Sequence, residues 1–465
     1  MTSPLDLSAV DLLDAYAARR LSPLDYWDAV EQRVDAFEPA IAALWAYDPE
    51  TARREAEAST RRWAKGAPNG RLDGVPATVK ELIATKGCPV PLGTRATRLV
   101  PAEADAPAAA RLREDGAILF AKTTCPDYGM LSSGLSSFHR LSRNPWNTAM
   151  NPGGSSAGAG AAAAAGYGPL HVGTDIGGSV RLPAGWTGTF GFKPSQGRIP
   201  VDPYYVGRCA GPMTRTVADA ALLMETLARP DWRDGTSLPP QEIDWMALDG
   251  LDVAGLRIGL MLDAGCGLPV EDAVRRAVVA AAKRFEAAGA TLVEVPPVLT
   301  RAMLDGLDDF WRARFWGEML KLDEARRATI LPYILDWAKA GDAVSGVAAI
   351  AGFDQTMAMR RACGTLFQSV DAVLSPTNPI VSYPADWASP TNDPARPFEH
   401  IAFTVPWNMS DQPAASINCG FSPDGFPIGL QIVGPRFADL TILRLSRLYE
   451  TWRGPITSWP EPAAA

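Results

Sequence analysis

The chain has 465 residues, 47% of them hydrophobic and 21% charged, which is enough apolar material for a large core and the composition of a soluble globular body. Its 41 glycines and 40 prolines are dispersed without a three-residue period, which excludes a collagen-like or low-complexity chain. With 44 Lys plus Arg against 52 Asp plus Glu, the net charge is -8 and no basic cluster offers a phosphate-neutralising surface, so neither nucleic acid nor an anionic membrane is an expected partner.

The first residues, Met1 to Asp6, lack the basic start and apolar run of a signal peptide, and no apolar stretch reaches the length of a membrane span. The expected location is the cytoplasm. Apolar residues from Ala9 to Leu44 recur at helical spacing (Val10, Leu13, Tyr16, then Leu24, Trp27, Val30, Val34, Phe37), predicting two or three amphipathic helices. From Gly74 onward, Pro76–Val79, Ile118–Ala121, His171–Thr174, Arg257–Met261 and Ala372–Leu374 read as buried strands. Arg111–Asp115, Val217–Leu227, Ala273–Ala288 and Leu440–Thr451 read as the helices between or after them. The pattern predicts one large α/β/α domain, a mixed twisted sheet covered by helices on both faces. Residues 1–70 form a helical arm packed on the core, residues 71–465 the main body, and a variable, largely helical insertion lies at about 300–365.

Cys88, Cys125, Cys209, Cys266, Cys363 and Cys419 show no C-x-x-C pair and no histidine at metal-ligand spacing. They read as free thiols in a reducing compartment; no metal and no cofactor are expected. His139, His171 and His400 are the only histidines, so a histidine base would have to be one of three.

The unusual region is Asn151 to Gly158, followed by an alanine-rich stretch and then Gly173 to Arg181. Gly154-Ser155-Ser156-Ala157-Gly158 matches the G-x-S-x-G elbow of Ser-His-Asp hydrolases with Ser156 as nucleophile, yet the polar, proline-broken Asn147–Pro152 precedes it where an elbow needs a buried strand. Gly158 to Ala163 resembles a dinucleotide fingerprint, again without its strand. In Gly177-Gly178-Ser179, two residues without Cβ let successive N–H groups converge beside a hydroxyl, as an oxyanion hole requires. Lys80, ending the run Gly74–Val79, is a candidate base. The plain alternative is that the glycines make tight turns and Lys80 is a solvated strand end.

Together these motifs resemble the amidase signature family of Ser-Ser-Lys hydrolases. The family's GGSSGG segment corresponds to Gly153–Gly158, its GTDxGGSIR segment to Gly173–Arg181, and its GLKPT segment to Gly191–Ser195. Further matches lie at Lys122–Tyr128, Arg143–Asn147, Gly211–Thr216, Ser375–Thr377 and Gly429–Gln431. The resemblance implies Ser179 as nucleophile, Ser155 as bridging serine after a cis peptide bond, and Lys80 as terminal base. It also implies an oxyanion hole from the N–H groups of Ile176, Gly177, Gly178 and Ser179, with Ser156, Asp175, Arg181 and Thr174 in support. The family's aromatic-Cys-Gly run is absent after Ser179, where Gly185-Trp186-Thr187-Gly188 stands instead. Tyr128, Gly129, Met130 and Trp186 are the candidates for the acyl pocket, Trp186 being equally a core residue. The aromatics Phe310, Trp311, Phe315 and Trp316 read as core of the insertion rather than a lid.

The expected activity is hydrolysis of small, uncharged aryl or aliphatic amides through an acyl-enzyme, with esters and carbamates (urethanes) chemically within reach, by a monomer or homodimer. The alternative from the same resemblance is the glutaminase component of a tRNA-dependent amidotransferase complex. That would need partner subunits and a pocket arginine, which the sequence does not place.

Overall fold

Eleven strands of the computed structural model, which describes residues 3–461, join one sheet. They are β1 (Leu44–Trp45), β2 (Pro76–Lys80), β3 (Ile118–Thr123), β4 (Leu170–Asp175), β5 (Phe190–Lys193), β6 (Cys209–Thr214), β7 (Arg257–Leu260), β8 (Thr291–Glu294), β9 (Ala372–Pro376), β10 (Ala414–Phe421) and β11 (Pro427–Val433). Their order is β1-β3-β2-β4-β6-β5-β10-β11-β9-β7-β8. β2 pairs parallel with β3 and β4, and β7 with β8 and β9, while the centre is antiparallel, so the sheet is mixed as expected.

The helices are α1 (Ala9–Ala17), α2 (Pro23–Ile41), α3 (Pro49–Ala64), α4 (Pro107–Glu114), α5 (Ala157–Ala165), α6 (Arg181–Thr187), α7 (Val217–Leu227) and α8 (Asp272–Ala287). They continue with α9 (Arg301–Met319), α10 (Glu324–Arg327), α11 (Pro332–Lys339), α12 (Gly346–Leu366), α13 (Val405–Met409) and α14 (Asp439–Arg453). Local chemistry sets several starts: Ser22 caps α2 in a capping box with Asp25, with Pro23 in its first turn. α4 begins four residues before the expected Arg111 because Pro107 suits its first turn.

Alternation along the strands divides the apolar interior between the sheet's two faces. On β9, Ala372 and Leu374 join a cluster with α1, α2, α7, α8 and α14, whereas Val373 joins a second cluster with α9, α11, α12 and α13. The helices before Gly74 are part of the first cluster: Trp27 of α2 is fully buried with its ring 5.3 Å from that of Phe120 on β3. α5 is buried at all nine positions, because only alanine and glycine let a helix approach the sheet on every side. Truncating Trp27→Ala leaves a cavity between α2 and the sheet, and the expected loss is about 3–5 kcal/mol, read as a lowered midpoint in chemical denaturation.

Candidate active site

Two parallel strands bring the first site residues together. Val79 of β2 lies opposite Val172 of β4, so both strands carry their carboxyl ends, with Lys80 and Thr174, to the same edge of the sheet. There the Lys80 ammonium nitrogen donates to Ser155 Oγ at 2.7 Å and to Thr174 Oγ1 at 3.0 Å. Lys80 is fully buried, and burial lowers it to about 8; nearby Arg208 pushes the same way, while Cys125, Asp175 and Glu81 oppose it. Lys80 is therefore no solvated strand end. The Gly154–Ser155 peptide is cis.

Ser156 lies beside this chain of hydroxyls without entering it. Its hydroxyl donates to the Thr174 carbonyl at 3.1 Å and accepts the Thr174 N–H at 3.2 Å, while its own N–H donates to the Ser179 carbonyl at 3.2 Å. It is fully buried at the start of α5 with no strand before it, so the elbow geometry of a G-x-S-x-G hydrolase is absent.

The loop from Asp175 to Arg181 carries Ser179. Asp175 accepts from the N–H groups of Gly178 at 2.8 Å and Val180 at 3.1 Å, and its two oxygens meet Arg181 Nε at 3.0 Å and Nη2 at 2.9 Å. Burial pushes the Asp175 carboxyl upward, but Arg181 and Asn408 beside it hold it well below the usual carboxylate range. Gly178 turns at φ +124, and a Cβ there would come 2.6 Å from Thr404 Oγ1. The four expected oxyanion donors become three: the Gly178 N–H is taken by Asp175, and those of Ile176, Gly177 and Ser179 meet no protein acceptor among the described residues.

A cavity of about 420 Å³ opens over Ser155, Thr174 and Ser179. Tyr128, Gly129 and Met130 line it; Gly129 has φ +67, and a Cβ there would meet Leu82 Cδ1 at 2.8 Å and approach Ser155 Oγ to 3.4 Å. Trp186 does not line it, which corrects the pocket assignment. Its ring is 1% exposed, lies edge-on to Tyr383 at 5.0 Å, and its Nε1–H donates to the Ile380 carbonyl at 3.1 Å. α6 turns this side chain under the Gly153 backbone rather than toward the loop, so it packs the interior. The aromatics of the insertion divide: Trp311 and Phe315 of α9 line the cavity, while Phe310 packs on Phe353 and Trp316 donates to Asp342. Arg208, Arg314 and Glu318 also reach the lining, so the cavity expected to take uncharged amides carries charged side chains.

The family model described as Amidase matches residues 27–443. The chain belongs to the amidase signature family. At 33% identity, over 96% of this chain and 95% of the other, this amidase is similar to the Acylamidase of Rhodococcus erythropolis. At 34%, over 96% and 95%, it is similar to a glutamyl-tRNA(Gln) amidotransferase subunit of Chloroflexus aggregans. A solved bacterial aryl acylamidase of the amidase signature family shares its fold with a TM-score of 0.89, 29% identity and 97% coverage of both chains. The chain is accordingly a hydrolase of carbon–nitrogen amide bonds.

Residues distant in the amidase's sequence also meet where spacing gave no sign. Glu81, Cys125 and His139 bring their polar atoms within 4.8 Å of one another, which corrects the expectation that no His/Cys/carboxylate cluster exists. This is the group that could hold a metal among the described residues. Its chemistry is that of a brace: Glu81 accepts the N–H groups of Leu92 and Gly93, and burial beside Glu81 pushes the Cys125 thiol up, away from the thiolate that binds metal. His171 shares a hydrogen bond with Thr78 at 2.8 Å, and His400, buried beside Trp186, has no partner on either ring nitrogen among the described residues. No helix among the described residues is long and apolar enough to cross a membrane.

The loop carrying Ser179 depends on charge pairing inside the protein. Arg181→Met would leave Asp175 buried without its counter-charge, and the expected cost is about 3–5 kcal/mol, read by chemical denaturation. A variant as stable as the parent would show that Asp175 is held adequately by the backbone N–H groups and Asn408.

Proposed function

We propose that this amidase hydrolyses small aryl or aliphatic amides through an acyl-enzyme on Ser179, as a free cytoplasmic enzyme, monomeric or homodimeric, without a cofactor. The observation that carries the reading is the 2.7 Å hydrogen bond from fully buried Lys80 to Ser155, on a cavity that Ser155 and Ser179 both line. Neutral Lys80 takes the Ser179 proton through the Ser155 hydroxyl as Oγ attacks the carbonyl carbon. The N–H groups of Ile176, Gly177 and Ser179 receive the oxyanion. Collapse of the tetrahedral intermediate breaks the C–N bond, and the proton returns from Lys80 through Ser155 to the leaving amine. Water then attacks the acyl-enzyme with the same relay as base.

Thr174, Ser156, Asp175 and Arg181 position these groups. The aromatic and aliphatic lining from Tyr128, Met130, Trp311 and Phe315 favours an apolar body next to the scissile carbonyl. Esters fit the same machinery. Carbamates also fit, since attack at their carbonyl gives an equivalent oxyanion and the released carbamate loses carbon dioxide.

The second reading, the glutaminase component of an amidotransferase complex, gains support from Arg208 and Arg314, which could meet the carboxylate of an amino acid. It is also supported by the relative named for that complex. Ammonia release from glutamine by the purified chain, compared with amine release from anilides, separates the two: anilide turnover exceeding glutamine turnover favours the free hydrolase.

Ser179→Ala is expected to abolish turnover without unfolding, and a serine-directed phosphonate to label Ser179; labelling at Ser156 would contradict the assignment. Lys80→Ala and Ser155→Ala should each cost orders of magnitude, and the double variant little more than either, because units of one relay are non-additive. The active form needs neutral Lys80, whose buried ammonium titrates at about 8. Lowering the pH through that value charges the base, so kcat/KM should fall on the acid side and level off above it. A profile flat from pH 6 to 9 would contradict Lys80 as the base.

A further inference from the structure

The cavity over Ser179 is lined by more hydrogen-bond donors than the protein occupies. Trp311 is 4% exposed, yet its indole Nε1–H meets no acceptor among the described residues, and the buried hydroxyl of half-buried Tyr205 has no partner among them either. The side chains of Trp311 and Arg314 come near that hydroxyl without completing a hydrogen bond to it, so the three groups converge. Such groups are rare in folded interiors, because water or a partner normally takes them. Arg208 lines the same cavity with no acidic partner among the described residues; its Nη1 donates to the Pro203 carbonyl at 3.3 Å, which leaves most of its fork free. Arg314 stands over the Tyr205 ring at 4.0 Å, also without an acid. The one acid among the lining residues, Glu318, lies a turn further along α9 and is held by Lys321 at 2.8 and 2.9 Å.

Four donors, two of them cationic, therefore belong to one cavity that supplies them with no free anion. We infer that Tyr205, Arg208, Trp311 and Arg314 form a subsite for a carboxylate carried by the amide substrate. The inference rests on the reading of Ser179 as the point of attack, and it narrows the substrate class to amides with an apolar body and an acidic end. A planar guanidinium presents parallel N–H groups that match the two oxygens of a carboxylate, and an indole N–H and a phenol add neutral donors to the same acceptor. The apolar walls strengthen the charge-assisted bond of half-buried Arg208 by excluding water, whereas Arg314 is exposed. A wholly apolar ligand filling the same space would strip water from the two guanidiniums and leave the indole N–H and the phenol unpaired. Selectivity for the acidic ligand thus has both an attractive and a repulsive component.

The test uses two matched series of anilides with purified full-length enzyme. In one, the acyl chain ends in a carboxylate or its methyl ester; in the other, the aniline ring carries a carboxylate or its methyl ester. The two series distinguish an acidic acyl end from an acidic amine end, and aniline release reads both. In at least one series the acid should exceed its ester in kcat/KM by about tenfold or more, the scale of one charge-assisted hydrogen-bonded contact. Arg208→Gln should cut that acid-to-ester ratio by about tenfold, with Arg208→Lys restoring part of it. Trp311→Phe, which keeps a ring but removes the N–H, should cut it by a smaller factor. Esters matching or exceeding acids in both series on the parent enzyme would overturn the subsite, and this measurement needs no variant to fold. A ratio indifferent to Arg208→Gln in a folded variant would overturn it too. Turnover of the esters alone would leave the amidase reading standing while this inference fell, whereas absence of turnover for all four compounds would remove both.

Discussion

A buried ion pair holds the loop that carries Ser179 in shape. Asp175 and Arg181 are both fully buried, and between them run the five residues that contain Ser179 and the free N–H groups. Asp175 ends a strand, Arg181 begins α6, and their paired contacts close the loop at its base. The guanidinium reaches further, donating to the Thr404 carbonyl, Asn408 Oδ1 and Gln431 Oε1. One side chain thereby ties β4, α13 and β11 to the same point. Such a pair is costly to desolvate, so its value lies in geometry rather than in net stability: each oxygen and each N–H has a single satisfied arrangement.

The same burial that makes this pair specific brings the neutral form of Lys80 within reach of ordinary pH. A lysine in water is charged at neutral pH, and removal from water, with Arg208 nearby, brings this one to about 8. α5 is central to that removal. Its alanines and glycines pack directly against β2, β3 and β4, and Ser156 at its start bonds to the backbone of Thr174. A helix of larger residues could not approach so closely, and Ser155 would stand away from the lysine. Packing, rather than any special property of the lysine, thus sets where Lys80 titrates.

The cavity is assembled from a different part of the chain. The strands' carboxyl edge provides Ser155, Thr174 and Ser179, whereas α9 of the insertion adds Trp311, Phe315, Arg314 and Glu318. The groups proposed to react and the lining contributed by the insertion thus sit on separate elements. Substitutions on α9 can alter what enters the cavity without disturbing the Lys80–Ser155 contact.

Much of this protein was written locally in its sequence. Short β-branched and apolar runs marked β2, β3, β4, β7 and β9, and Val217–Leu227 matched its helix residue for residue, because period and caps are properties of neighbouring residues. The Gly/Ser-rich segments and Lys80 could be read because their motifs are contiguous and ordered. Long-range packing decided the rest. Trp186 looked equally suited to pocket and core until the direction of α6 buried it, and Trp311 and Phe315 carried an ordinary helical core spacing that the cavity partly claims. Gly178 belongs to a donor-rich run, yet Asp175 takes its N–H. Arg208, Arg314, Tyr205 and the Glu81–Cys125–His139 cluster had no local signature at all. Composition and spacing report which residues share a strand or a turn of helix; which side chains from distant segments face one another, and which are left without partners, is fixed only when the sheet and the insertion close over the same space.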